Sequence, residues 1–115
     1  MTTESLRKFC LGLPHATEDI KWGHDLCFLI GGRMFAVVSL EKSDKHFVSC
    51  KCTPEKFAEL VEVEGIIPAP YMARNHWVTL ERFDALRDAE IKALVRESYA
   101  LVFARLTKKE QKRLS

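Results

Sequence analysis

The stretch from Ile66 to Glu81 constrains the fold more than any other part of the chain. Pro68 and Pro70 fix their backbone φ angles and lack an N–H, so this stretch cannot be helical and cannot enter the centre of a sheet. Further along, Val78 and Leu80 alternate with polar residues, which is typical of a half-buried strand. The sequence therefore predicts a short edge segment followed by a second strand.

Four side chains that can contact a ligand come together at the start of this second strand: Arg74, Asn75, His76 and Trp77. Arginine and asparagine bind phosphates and base edges, and tryptophan stacks on unpaired bases. In the structural alternative, Trp77 anchors the core and the three residues before it form a solvated turn. The sequence leaves both interpretations open.

The remaining periodicities predict three helices and three more strands. The first helix is capped by Thr3 and ended by Gly12 and Pro14, and a second begins at Thr53-Pro54. We expect strands at 26–30, 34–40, 46–52 and 76–80, an edge segment at 66–67, and a last helix that begins between 84 and 88 and runs to about 106. Gly31-Gly32 predicts a tight hairpin, and we expect a longer polar hairpin loop at 41–45. Residues 15–25 are expected to form an irregular surface connection in which Ile20 and Trp22 pack against the sheet.

This order, α-β-β-β-α-β-β-α, predicts an α+β fold. We expect one domain over residues 1–115, a two-layer sandwich with a largely antiparallel five-stranded sheet and the helices on one face. A chain of this length is ordinarily a single domain.

Composition narrows the class of protein without identifying it. The formal charge is +2, with 30% charged and 47% hydrophobic residues, as in an ordinary globular domain. No apolar run reaches the length of a membrane span, and the start Met-Thr-Thr-Glu-Ser does not resemble a signal peptide, so we expect a cytoplasmic protein without a membrane partner.

The four cysteines, Cys10, Cys27, Cys50 and Cys52, lie in apolar, periodic contexts and are expected to be buried free thiols. The alternative is a metal site built from Cys50-x-Cys52 and a histidine. Zinc sites normally use longer spacers and a second ligand pair, which the sequence lacks. We therefore predict neither a metal nor a cofactor.

Acid–base groups are present without a recognisable catalytic motif. Asp19, His24, His46 and His76 are the candidates for proton transfer. No nucleophile elbow, phosphate-binding loop or dinucleotide fingerprint accompanies them. We therefore predict a protein that is not an enzyme and has no catalytic residues.

Several short motifs, spread over nearly the whole chain, resemble those of the MmcQ/YjbR family of small bacterial proteins. They are Phe9-x-x-x-Leu13-Pro14-x-x-x-Glu18, Trp22-Gly23, Gly32-x-Met34-Phe35-Ala36, the His76-Trp77 run and Ser98-Tyr99-x-Leu101-Val102. The resemblance implies a double-wing fold, akin to CyaY-like and secretion-chaperone-like folds. It also implies binding to DNA.

Two functions from different classes follow. In the first, the protein binds DNA through the hairpin wings and the sheet face that carries no helices. The residues assigned to DNA are Arg33, Lys42, Lys45, Arg74, Asn75, His76 and Trp77. In the second, the broad apolar arc of the last helix serves a protein-interaction module or a homodimer. A continuous positive sheet face would favour DNA, and a face of mixed charge would favour the second function.

Overall fold

The computed structural model describes residues 1–41, 48–70 and 72–115. The helices are α1 (Thr3–Leu11), α2 (Pro54–Leu60), α3 (Asp88–Ala104) and α4 (Lys108–Arg113). The strands are β1 (Thr17–Lys21), β2 (Asp25–Ile30), β3 (Arg33–Ser39), β4 (Val48–Lys51), β5 (Ile66–Pro68) and β6 (Trp77–Leu80). Short 3₁₀ turns occur at Ala73–Asn75 and Phe83–Ala85.

The six strands form one antiparallel sheet in the order β1-β2-β3-β4-β6-β5. The predicted α+β class is confirmed, but the described residues form six strands instead of five. The additional strand is β1, in the stretch predicted to be an irregular connection. Its residues are exposed or half-buried, so β1 lacks the apolar alternation that marks a strand in sequence.

The β2–β3 hairpin has the tight turn predicted from Gly31-Gly32. The φ angles of these glycines are +59° and +80°, in the left-handed region that favours glycine. A β-bulge follows, because Phe28 pairs with Ala36 whereas Leu29 pairs with Met34. Phe35 is the extra residue, and both it and Ala36 join the core.

Helices α1, α2 and α3 supply the core that covers one face of the sheet. The apolar arc of α3 is buried within this core at Ile91, Leu94, Val95 and Val102. The described contacts join α3 to the sheet and to α1. The arc therefore needs no partner chain to cover it.

Several local predictions need correction. Ile20 and Trp22 do not pack against the sheet: they are 57% and 65% exposed, and Trp22 has a φ of +53° in the β1–β2 turn. The cap of α1 is Thr2 instead of Thr3, because the Thr2 side chain accepts from the N–H of Ser5. The last helix stops at Ala104, and a separate capping box starts α4.

Thr53 caps α2 as predicted, since its hydroxyl accepts from the N–H of Lys56. Most of the predicted polar hairpin, and the first two residues of the predicted 46–52 strand, lie outside the described residues. Within the described ranges, none of the helices has the length and hydropathy needed to cross a bilayer.

Candidate functional site

One end of the sheet carries a cavity of about 190 Å³, which we call the basic cavity. Its described lining consists of Arg33, Met34, Lys51, Asn75, Trp77, Val102 and Arg105. Because the strands are antiparallel, the start of β3, the end of β4 and the start of β6 meet at this end. Three cations line the cavity, and none of its described lining residues carries a carboxylate.

Lys51 lies at the end of β4, directly opposite Trp77 on β6. Its Nζ donates a hydrogen bond of 2.7 Å to the backbone carbonyl of Asn75, which fixes the ammonium at the cavity wall. Burial, and then the charge of Arg105, lower the pKa of Lys51 below its ordinary value. An anion in the cavity would offset both effects, because it would supply the missing opposite charge.

Arg33 and Arg105 reach the cavity from the hairpin tip and from the end of α3. A Cβ added to Gly31 would lie 2.8 Å from Leu106 Cδ1, so the hairpin backbone packs directly on the residue after Arg105. Neither arginine forms an ion pair within residues 1–41, 48–70 and 72–115.

The structural alternative for Arg105 is an arginine that neutralises the carbonyls at a helix C-terminus. Here Gln111 takes that role. Its Nε2 donates to the carbonyls of Phe103, Ala104 and Leu106 at 3.1, 3.2 and 3.0 Å. The guanidinium of Arg105 is therefore not required for capping α3, and it is exposed at the cavity.

A tight turn places Asn75 and Trp77 at the basic cavity. The 3₁₀ turn ends at His76, whose φ of +62° reverses the chain into β6. Trp77 and Val78 point to opposite faces, as strand alternation requires, with Val78 in the core. Trp77 is only 5% exposed, so its accessible surface is limited and a base has no open indole face to stack on.

The other sequence-predicted residues lie elsewhere. Arg74 is exposed but does not line the basic cavity. The imidazole of His76 packs edge-on against Phe57 of α2, with ring centroids 5.6 Å apart, and the carbonyl of His76 accepts from the N–H of Cys52. Lys42 and Lys45 lie outside the described residues, so their role in DNA binding stays a prediction.

The outer face of the sheet, opposite α1, α2 and α3, is neither flat nor uniformly positive. Cys27 and Thr79 on this face are fully buried, and Thr79 Oγ1 lies 2.7 Å from Ser49 Oγ. An apolar groove of about 450 Å³ runs along it, lined by Trp22, His24, Asp25, Met34, Val37, Ser49, Ala69, Pro70, Met72 and Thr79. Among the described residues, three cations gather at one end of the sheet, in the basic cavity.

All four cysteines are free and buried, as predicted. Burial raises the pKa of Cys10 to about 12 and that of Cys52 to about 11. Neither thiol is therefore an activated nucleophile at neutral pH. Within the described ranges, no group of three or more His, Cys, Asp or Glu residues has the arrangement of a metal site.

Sequence reasoning missed Lys51 and Arg105. For Lys51 a signal existed, because strand alternation places it on the face opposite Cys50 and Cys52. Its position opposite Trp77 depends on the pairing register of β4 and β6, which the sequence alone does not give. For Arg105 there was no local signal, since it reaches the cavity only through the packing of α3 on the β2–β3 hairpin.

Comparison with known proteins gives consistent matches over nearly the full chain. YbdF of Escherichia coli O157:H7, described as an uncharacterized protein, is 27% identical over 113 residues, covering 96% of this chain and 92% of YbdF. The crystal structure of Deinococcus radiodurans protein DR2400 is 30% identical, with a TM-score of 0.86, and the match covers 98% of this chain and 87% of DR2400.

A protein from Pseudomonas syringae shares the fold at 22% identity, with a TM-score of 0.69, over 88% of this chain and 98% of that one. A family model described as YjbR matches residues 11–101, most of the chain. The family resemblance inferred from the sequence motifs is therefore confirmed, and the chain belongs to the YjbR family.

Proposed function

We propose that this domain is a non-enzymatic DNA-binding module that contacts the phosphate backbone at the basic cavity. The observation that carries the proposal is the convergence of Arg33, Lys51 and Arg105 without a carboxylate among the described lining. Lysine and arginine side chains at such a site neutralise phosphates and release counterions. Asn75, beside them, offers an amide for a sugar or a base edge.

The proposal differs from DNA binding across the whole outer face. That face carries the apolar groove, whose described lining includes His24 and Asp25 and no lysine or arginine. The continuous positive charge that a duplex lying along the face would need is therefore absent from this lining, and the proposal moves to the end of the sheet. Backbone contacts therefore concentrate at the end of the sheet. Lys42 and Lys45 lie outside the described residues and remain predicted phosphate contacts.

The test is a fluorescence-anisotropy titration of labelled duplex and single-stranded oligonucleotides at several salt concentrations. Each phosphate neutralised on duplex DNA contributes about −0.9 to the slope of log affinity against log salt. Replacing Arg33, Lys51 and Arg105 together with glutamine should therefore flatten the slope by about two to three.

A matched control removes three positive charges elsewhere. Lys8, Lys92 and Arg96 are exposed on α1 and α3, and the last two lie over the ring of Phe9. Their glutamine variant has the same net charge as the cavity variant and should keep the wild-type slope. Absence of binding by the wild-type protein at low salt would make the proposal wrong, as would equal slopes for the two triple variants.

A second function, protein interaction, is favoured by one observation on the outer face. Trp22 is exposed in the β1–β2 turn and lines the apolar groove with Met34, Val37, Pro70 and Met72. An exposed indole at the rim of such a groove is typical of an interaction surface. Analytical ultracentrifugation tests the homodimer: self-association that Trp22→Glu abolishes supports it, and a monomer at every concentration contradicts it.

A further inference from the structure

We propose that the basic cavity binds a phosphomonoester, the terminal phosphate of a nucleic-acid strand, in preference to the internal phosphodiesters. This inference rests on the proposed function and narrows it from the backbone in general to chain ends. It is carried by the size of the basic cavity, by the number of its cations and by the way Lys51 is held.

The basic cavity is small. Its volume of about 190 Å³ is below the roughly 300–1,000 Å³ of pockets that enclose drug-sized ligands. It therefore admits one group of a larger ligand. An internal phosphodiester must bring a chain through the site on both sides, whereas a terminal phosphate enters with a chain on one side only.

The charge of the cavity matches a monoester better than a diester. A phosphomonoester carries about −1.5 to −2 charges at neutral pH and three strong acceptor oxygens. A phosphodiester carries one negative charge and two non-bridging oxygens. Arg33, Lys51 and Arg105 provide three cations to the same cavity, and no ion pair between an arginine of this set and a described carboxylate reduces that number.

The ammonium of Lys51 is already positioned for a ligand. One of its three N–H donors is used by the carbonyl of Asn75, at 2.7 Å, so two remain for phosphate oxygens. The same bond ties the lysine to the 3₁₀ turn that presents the Asn75 side chain. Because Asn75 lines the same cavity, its amide is available to the sugar of the bound strand.

The experiment is a competition assay, so that no dye blocks a chain end. Unlabelled single-stranded oligonucleotides of one sequence carry a 5′-phosphate, a 3′-phosphate or hydroxyls at both ends, and each displaces the same internally labelled probe. We expect at least one phosphorylated form to compete about tenfold better than the hydroxyl form, the ratio expected from one further charge-assisted hydrogen bond.

Two single variants, Lys51→Gln and Arg105→Gln, should remove this preference, and Lys8→Gln should keep it. Circular dichroism shows whether each variant folds. If Lys51→Gln does not fold, Arg105→Gln provides the test. A preference that persists in both cavity variants overturns the inference, because the end would then bind elsewhere.

The remaining outcomes separate the inference from the proposed function. Equal competition by all three oligonucleotides makes the terminal-phosphate inference wrong and leaves DNA binding intact. Failure of every oligonucleotide to bind, the duplexes of the salt titration included, makes both wrong. Isothermal titration with inorganic phosphate and with a nucleoside monophosphate provides the last arm. Binding of either as tight as that of the phosphorylated strand assigns the cavity to a free small molecule and overturns the inference.

Discussion

The hydroxyl of Ser98 on α3 donates a hydrogen bond of 2.6 Å to the backbone carbonyl of Phe35, the bulged residue of β3. The same oxygen accepts from the N–H of Lys51 at 2.9 Å. Ser98 is fully buried, so it satisfies two backbone groups that water would otherwise have to reach. One side chain thus joins α3 to the two strands that carry Arg33 and Lys51.

Replacing Ser98 with alanine should destabilise the protein by about 2–4 kcal/mol, because it removes the partner of a buried carbonyl and of a partly buried N–H. Urea unfolding followed by circular dichroism measures the change. Ser115→Ala is the control, since Ser115 is exposed and should alter stability by less than about 0.5 kcal/mol. A similarly small effect for Ser98→Ala would contradict the prediction.

The two glycines of the β2–β3 turn should differ in their tolerance of alanine. Both have positive φ, which costs an L-residue about 1–2 kcal/mol. A Cβ on Gly32 meets nothing within 4 Å, whereas one on Gly31 lies 2.8 Å from the buried Leu106. We expect Gly31→Ala to cost about 1–3 kcal/mol more than Gly32→Ala in the same unfolding assay. Equal costs would show that Leu106 moves aside freely.

The ion pair between Arg7 on α1 and Glu18 on β1 should make the stability of the protein depend on pH. Arg7 donates to both carboxylate oxygens of Glu18, at 2.8 and 2.7 Å. These hydrogen bonds lower the pKa of Glu18 from its ordinary value of 4.5. A lowered folded-state pKa stabilises the protein above the unfolded value, and this contribution is lost as pH falls through the folded value.

Glu18→Gln should therefore be less stable than wild type at neutral pH, and the difference should shrink steadily as the pH falls below about 4.5. Urea unfolding at a series of pH values measures it. The contribution of the ion pair to stability is modest because both side chains are partly exposed. A difference that stays constant down to pH 3 would show that the ionisation of Glu18 plays no part.

Native-state alkylation of the four cysteines should be slow. All four thiols are buried, and burial raises the pKa of Cys10 to about 12, so thiolate is scarce at neutral pH. Mass spectrometry after iodoacetamide treatment should show little modification in buffer and four modifications in concentrated urea. Rapid labelling of Cys50 and Cys52 in buffer would instead show that the end of β4 opens easily.

The sequence predicted most of this fold because most of its elements carry local signals. Gly31-Gly32 specifies a tight turn, Thr53-Pro54 starts α2, and Pro68 confines its segment to the edge position that β5 occupies. Strand β1 was missed because only its pairing with β2 shows that it is a strand. Thr17 lies opposite Leu29 and Lys21 opposite Asp25, and none of the β1 residues is buried.

Only part of the candidate site could be predicted from the sequence, for a related reason. Arg33, Asn75 and Trp77 were identified from residue type, and the structure brings them into one cavity. Lys51 and Arg105 join them through strand register and helix packing, which are contacts between residues far apart in sequence. His76 was chosen for its imidazole, but its ring contacts Phe57, and no residue type reveals such a contact.

The two tryptophans stand at opposite extremes of solvent exposure, Trp22 at 65% and Trp77 at 5%. Indole emission shifts to longer wavelength in water. Trp22 at the rim of the groove should therefore emit at a longer wavelength than Trp77 at the cavity wall. Replacing Trp22 with phenylalanine leaves Trp77 as the only indole in the chain. The native chain thus contains an optical reporter at the very wall that a phosphate would touch, readable without any attached dye.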